Sequence, residues 1–150
     1  MQPLLIRHFS LVNSLGAGAA ENVVALRERR SGLRACRFYD VELETFVGAV
    51  PGLDEATVRA DLSHYDCRNN RLAQWGLEQD GFAQAVKIAA QKYGAHRVGV
   101  FMGTSTSGLL HTELAYRQRD PATGALPANF HYRQTHNTYS LADFVQRYLG

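Results

Sequence analysis

The chain alternates between two hydrophobic rhythms, one of strands and one of helices. Residues 4–12 (LLIRHFSLV) are rich in β-branched and aromatic side chains and end in Asn13-Ser14-Leu15-Gly16-Ala17-Gly18. That composition predicts a strand and a turn. Residues 19–30 then predict a helix, with Val23, Val24 and Leu26 on its apolar side, Arg27, Arg29 and Arg30 in the last turn and Gly32 as the stop. The order strand, glycine turn, helix is an α/β signal. Between residues 38 and 47, Val41, Leu43, Thr45 and Val47 alternate with Glu42, Glu44 and Phe46, which predicts a short half-exposed strand.

A short helix is expected over residues 53–60 with Asp54 as its cap, followed by a polar crossing segment, Ser63 to Asn70. The longest periodic run, residues 71–93, repeats Leu72, Trp75, Phe82, Val86, Ala89 and Tyr93 at spacings of three, four or seven. This predicts one buried helix, with Gly76 and Gly81 each costing about 1 kcal/mol of propensity and Gly94 as the stop. Arg97-Val98-Gly99-Val100-Phe101-Met102-Gly103 is apolar, too short for a helix and without polar alternation, so it reads as a strand covered on both faces. The small polar turn 104–108 feeds a helix through Leu109, Leu110, Leu114 and Tyr116, and residues 120–127 break it with proline and glycine. Thr138 or Ser140 is positioned to cap a final helix, residues 141–149, whose apolar face is Leu141, Phe144, Val145 and Tyr148.

Composition narrows what such a chain does. At 150 residues and 45% apolar content, it fits one domain, and 20% charged residues exclude both the signature of disorder and a membrane span. Sixteen Lys plus Arg against fourteen Asp plus Glu is too balanced for nucleic-acid binding, which needs sustained phosphate neutralisation. Cys36 and Cys67 are too few for a disulfide framework and too far apart for a CxxC pair. With no leader-like pattern at residues 1–8, a reducing, cytoplasmic location is expected.

Five groups of residues invite a chemical reading. Gly16-Ala17-Gly18 after a strand and before a helix resembles the GxGxxG dinucleotide turn, with Asp40 spaced to meet a ribose. Glu21 stands where the third glycine belongs, so a plain strand-to-helix turn is the better reading, with a nucleotide-binding domain on Gly16 and Gly18 as the alternative. Gly103 to Gly108 has neither the Gly-Lys-Ser/Thr of a P-loop nor the spacing of a nucleophile elbow. It leaves small side chains and free amides at the end of a strand, where α/β sheets place ligands. Cys67 with His64 three residues before it lacks an orienting group and an oxyanion hole, so a structural cysteine is expected. His8, His64, His96, His111, His131 and His136 show no metal-ligand spacing, and no metal is expected. Arg27, Arg29, Arg30, Arg34 and Arg37 suit contact with a helix dipole, or an acidic partner in a docking module without chemistry.

Several segments, taken in order, resemble the β-ketoacyl-acyl-carrier-protein synthases, the condensing enzymes of fatty-acid and polyketide assembly. Leu11-Val12-Asn13-Ser14-Leu15-Gly16 resembles the family's opening "VSPLG" turn, and Val24 to Leu33 its "LLAGRSGI" helix end. Asp66 to Gln74 is similar to the entry of its long helix, Arg97 to Ser105 to its "RVGVIVGTG" strand and turn, and Tyr139 to Gly150 to the helix before its nucleophile strand. The resemblance implies the N-terminal half of a layered, thiolase-like α/β fold, a mixed sheet with covering helices, over residues 1–150.

It also implies a chemistry. An acyl thioester on an active-site cysteine is attacked by the carbanion released when malonyl-carrier protein is decarboxylated. The family's "TACSS"-like elbow and its later histidines have no counterpart here, and neither Cys36 nor Cys67 matches. No catalytic residue carries over, and the chain alone is expected to be inactive. Thr106 falls where the family places a side chain beside the acyl pocket, and Tyr132 roughly where a loop aromatic reaches the partner subunit's pocket. The implied partners are an acyl carrier protein and a second ketosynthase subunit, with no cofactor.

Overall fold

The apolar face of the last helix organises the structure. In the computed structural model, which describes residues 3–37, 43–105 and 107–150, Leu141, Phe144 and Val145 are buried against Val58, Leu62 and Tyr65. Their spacing of three and four puts them on one stripe of a helix, as the sequence pattern requires. Elements in chain order are β1 (Val12–Asn13), β2 (Gly16–Ala17), α1 (Ala19–Arg27), β3 (Arg34–Ala35), β4 (Phe46–Val47), a 3-10 turn (Ala60–Tyr65), α2 (Arg68–Glu78), α3 (Phe82–Tyr93), a short 3-10 turn (Ala95–Arg97), α4 (Leu109–Arg117), α5 (Tyr132–Thr135) and α6 (Ser140–Leu149). The described strands form two small antiparallel sheets, β1 with β2 and β3 with β4. The protein is therefore mixed α/β. No helix among the described residues is long and apolar enough to cross a membrane.

Both ends of α6 are held by polar contacts that a hydrophobic pattern does not reveal. Arg59 Nη1 donates to Tyr148 O at 3.0 Å and Nη2 to Arg147 O at 3.3 Å, satisfying carbonyls at the helix C-terminus. The same guanidinium lies 4.8 Å from the Tyr148 ring centroid and is steered by Asp61 at 2.6 Å. Tyr148 in turn donates its hydroxyl to Glu78 at 2.7 Å, which ties α6 to the end of α2. Burial and then that carboxylate push its phenol pKa up to about 12. At the other end, Tyr65 donates its hydroxyl to Asp143, whose second oxygen accepts from Arg147 Nε at 3.1 Å.

Several predicted elements change form. The run 71–93 is two helices, because Asp80 (φ 54°) and Gly81 (φ 70°) are both left-handed and no continuous helix passes through them. A Cβ on Gly81 would meet nothing within 4 Å, so the glycine serves the backbone conformation alone. Tyr93, expected on the buried face, is exposed. The predicted helix at 53–60 is a turn and an irregular segment; 3-10 backbone begins at Ala60 and reaches Tyr65 across a kink at Leu62 (φ −111°, ψ 19°), entering the segment read as a polar crossing.

The strand predictions fare worse because extended segments need neighbours. Of residues 4–12 only Val12 pairs in a described ladder, with Ala17, and residues 4–9 are exposed. Val98 is extended (φ −101°, ψ 114°), but 97–103 pairs with no described strand and forms no covered central strand. Of the strand predicted over 38–47, Phe46–Val47 is observed, and residues 38–42 lie outside the described residues. On α1 the buried positions are Asn22 and Ala25, while Val23, Val24 and Leu26 face out. The reason is a hydrogen bond: Asn22 Nδ2 donates to Gly16 O and Gly18 O at 3.1 and 2.8 Å, turning that stripe toward the hairpin.

Candidate functional site

Of the two residues singled out for the acyl pocket, Tyr132 opens α5 and Thr106 lies outside the described residues; the residues that follow it, Ser107 and Gly108, meet α6 and the end of α5. Gly108 adopts a left-handed conformation (φ 54°), and a Cβ there would sit 1.9 Å from Thr135 O, so the turn runs backbone-against-backbone onto the end of α5. Ser107 and Ser140 are both buried, with their Oγ atoms 3.2 Å apart. That contact, rather than a cap, is the role of Ser140; neither Thr138 nor Ser140 makes a side-chain cap at α6.

One turn into α4, Thr112 Oγ1 lies 2.6 Å from His136 Nδ1 and 3.2 Å from Gly108 O. The His136 ring in turn packs at 5.2 Å from that of Tyr132, which is 55% exposed. Tyr132 thus stands at the rim with its ring backed by His136. No sequence signal joins residues 24 positions apart, so the Thr112–His136 and Ser107–Ser140 pairs were legible only once α4, α5 and α6 were placed.

Cys67 is fully buried, and its Sγ contacts Thr135 O at 3.8 Å. Burial pushes its thiol pKa up, the opposite of what a nucleophile needs. His64 packs on Tyr65 with ring centroids 4.6 Å apart. The structural reading of Cys67 therefore holds.

The glycine turn before α1 is already filled by the chain's own carboxylates. Glu21 accepts from Ala17 N at 2.9 Å, and Asp80 accepts from Ala19 N at 3.0 and 3.1 Å. These are the amides a pyrophosphate would use, and two negative charges stand in its place. The nucleotide reading on Gly16 and Gly18 loses its binding surface, and Asp40 lies outside the described residues. The basic run near Arg27 stays at the surface, where Arg30 lies 3.6 Å from Glu28.

A cavity of about 430 Å³ opens between the first 3-10 turn, α4 and residues 127–135, lined among others by His64, Asp66, His111 and His131. Asp66 is spoken for, since Arg71 Nε and Nη2 donate to its two oxygens at 2.6 and 2.8 Å. His111 Nδ1 is buried and without a hydrogen-bond partner among the described residues. Burial, with Arg71 adding to it against the pull of Asp66, holds the His111 pKa below its ordinary value. No group of three or more His, Cys, Asp or Glu among the described residues is placed to hold a metal. The cavity therefore combines polar pairs that are satisfied, such as Asp66 with Arg71, and one buried imidazole, His111, that has no partner among the described residues.

No family model, curated protein or solved structure matches the chain.

Two outcomes are expected. Gly108→Ala forces an L-residue into the left-handed region and drives its Cβ into Thr135 O, so chemical denaturation should show a loss of at least about 2 kcal/mol; a change within about 0.5 kcal/mol contradicts the close approach. Because the folded state disfavours the charged form of His111, stability should fall as pH drops below about 6.5. His111→Gln should flatten that fall, and an unchanged pH profile contradicts the assignment.

Proposed function

We propose that this chain is the N-terminal, non-catalytic portion of a β-ketoacyl-acyl-carrier-protein synthase of layered thiolase-like architecture. The observation that carries the reading is order: five segments from Leu11 to Gly150 resemble that family's segments in the same sequence and register. In this role the chain supplies one wall of the acyl pocket and part of the subunit interface, while a nucleophilic cysteine and paired histidines belong to a later part of the enzyme. The enzyme's partners would be an acyl carrier protein and a second ketosynthase subunit, in the cytoplasm and without a cofactor.

The geometry of the turn supports this division of labour. Ser107 and Gly108 fix the backbone against Ser140 and Thr135, as a rigid pocket wall requires; by the family resemblance Thr106 belongs to that wall, and a small residue there leaves room for a longer acyl chain. Tyr132 is half-exposed beside that turn, free to meet a partner subunit. The buried Cys67 thiol cannot take an acyl group without local opening.

Incubated with acyl- and malonyl-carrier-protein, the chain alone should yield no ketoacyl product and no acyl adduct on Cys67. Turnover lost in Cys67→Ser would overturn the reading. In the source gene, the codons after Gly150 should encode a cysteine flanked by small residues; their absence would also overturn it.

A further inference from the structure

The chain exposes more surface than its mass warrants. Its accessible surface is 11,190 Å², whereas a compact 16.7 kDa protein exposes about 7,600 Å². The excess, about 3,600 Å², is several times the roughly 800 Å² each partner gives to a standard interface. Much apolar area is in two segments that were predicted as strands. Leu4, Leu5, Ile6 and Phe9 are exposed, Leu4 at 99%, and so are Phe101 and Met102, Phe101 at 94%.

These segments are also open along their backbones. Among the described residues, 4–10 and 99–103 make no backbone hydrogen bond to any other residue, a cost that pairing removes. Residues 98–101 already behave as a strand: Val98 and Val100 turn inward, Val100 onto the α6 core, while Gly99 and Phe101 face out. This is an extended segment laid on the core with both edges unpaired, a template for strand addition.

We infer that the 150-residue chain closes this surface with a second copy of itself, residues 4–9 of each chain pairing with residues 98–103 of the other. Both segments are six residues long, the usual strand length. Under a two-fold axis the exchange makes two identical ladders and closes, whereas pairing one segment with itself leaves the other open. Arg7 is the only formally charged side chain in either segment at neutral pH, so no like charges oppose across the ladder. The two segments complement each other in length and charge, which makes a second copy the fitting strand donor, and the inference does not rest on the proposed function.

Sedimentation of the chain should give twice the 16.7 kDa mass, dissociating on dilution, with amides of 4–9 and 99–103 protected from hydrogen exchange in the dimer. Ile6→Pro and Phe101→Pro each remove a ladder donor at a position with no backbone bond among the described residues. Each should yield monomer with unchanged far-UV circular dichroism. A wild-type monomer at all concentrations, an open-ended series of larger assemblies, or a dimer that survives both substitutions overturns the inference. None of these results bears on whether the chain condenses acyl groups.

Discussion

Burial of the Phe144 ring is the contact on which the rest of the structure hangs. It is fully inaccessible, lies 5.8 Å from the Tyr65 ring and 6.0 Å from that of Tyr148, and sits at the centre of the stripe formed by Leu141 and Val145. Around it the first 3-10 turn, α2, α3 and α5 all touch α6. The polar contacts of Arg59, Tyr148 and Tyr65 add direction to that apolar contact: each lets one buried or half-buried group keep a partner while the helix is pulled onto the core.

The placement of the candidate site follows from the same helix. Ser140, its first residue, meets Ser107, and α5 packs beside it, so Ser107 and the rim carrying Tyr132 are both referenced to α6. The one buried thiol has its pKa raised, the carboxylate Asp66 is neutralised by Arg71, and the amides before α1 are taken by Glu21 and Asp80. The thiol, the carboxylate and the amides that sequence motifs single out are thus each engaged by a neighbour within the chain.

What the sequence revealed depended on how local the cause was. The final helix was legible because Leu141, Phe144 and Val145 report its face directly, and the starts of α1 and α4 because Gly18 and Gly108 precede them, whereas α1 ends at Arg27, short of the predicted stop at Gly32, with Arg29 left-handed (φ 54°). The division of α2 from α3 was hidden because periodicity continues in register across Gln79, Asp80 and Gly81, and only the left-handed backbone of two residues breaks it. The orientation of α1 was misread because two hydrogen bonds from Asn22 outweighed the apolar side chains at 23, 24 and 26. Strand propensity at 4–12 and 97–103 was real, yet ladders require a partner that propensity does not specify. Of the site, the turn was visible as a row of small residues, while Thr112–His136 and Ser107–Ser140 needed three helices in place.

Equilibrium unfolding of Phe144→Ala, compared with Leu26→Ala on the exposed side of α1, tests the dependence on α6 most directly. Emptying the Phe144 site should cost about 3–5 kcal/mol, enough to abolish most of a marginal stability. Leu26→Ala should change it by no more than about 0.5 kcal/mol, since that side chain is largely exposed. Similar losses from the two, or a loss under about 1 kcal/mol from Phe144→Ala, would contradict a structure built around α6.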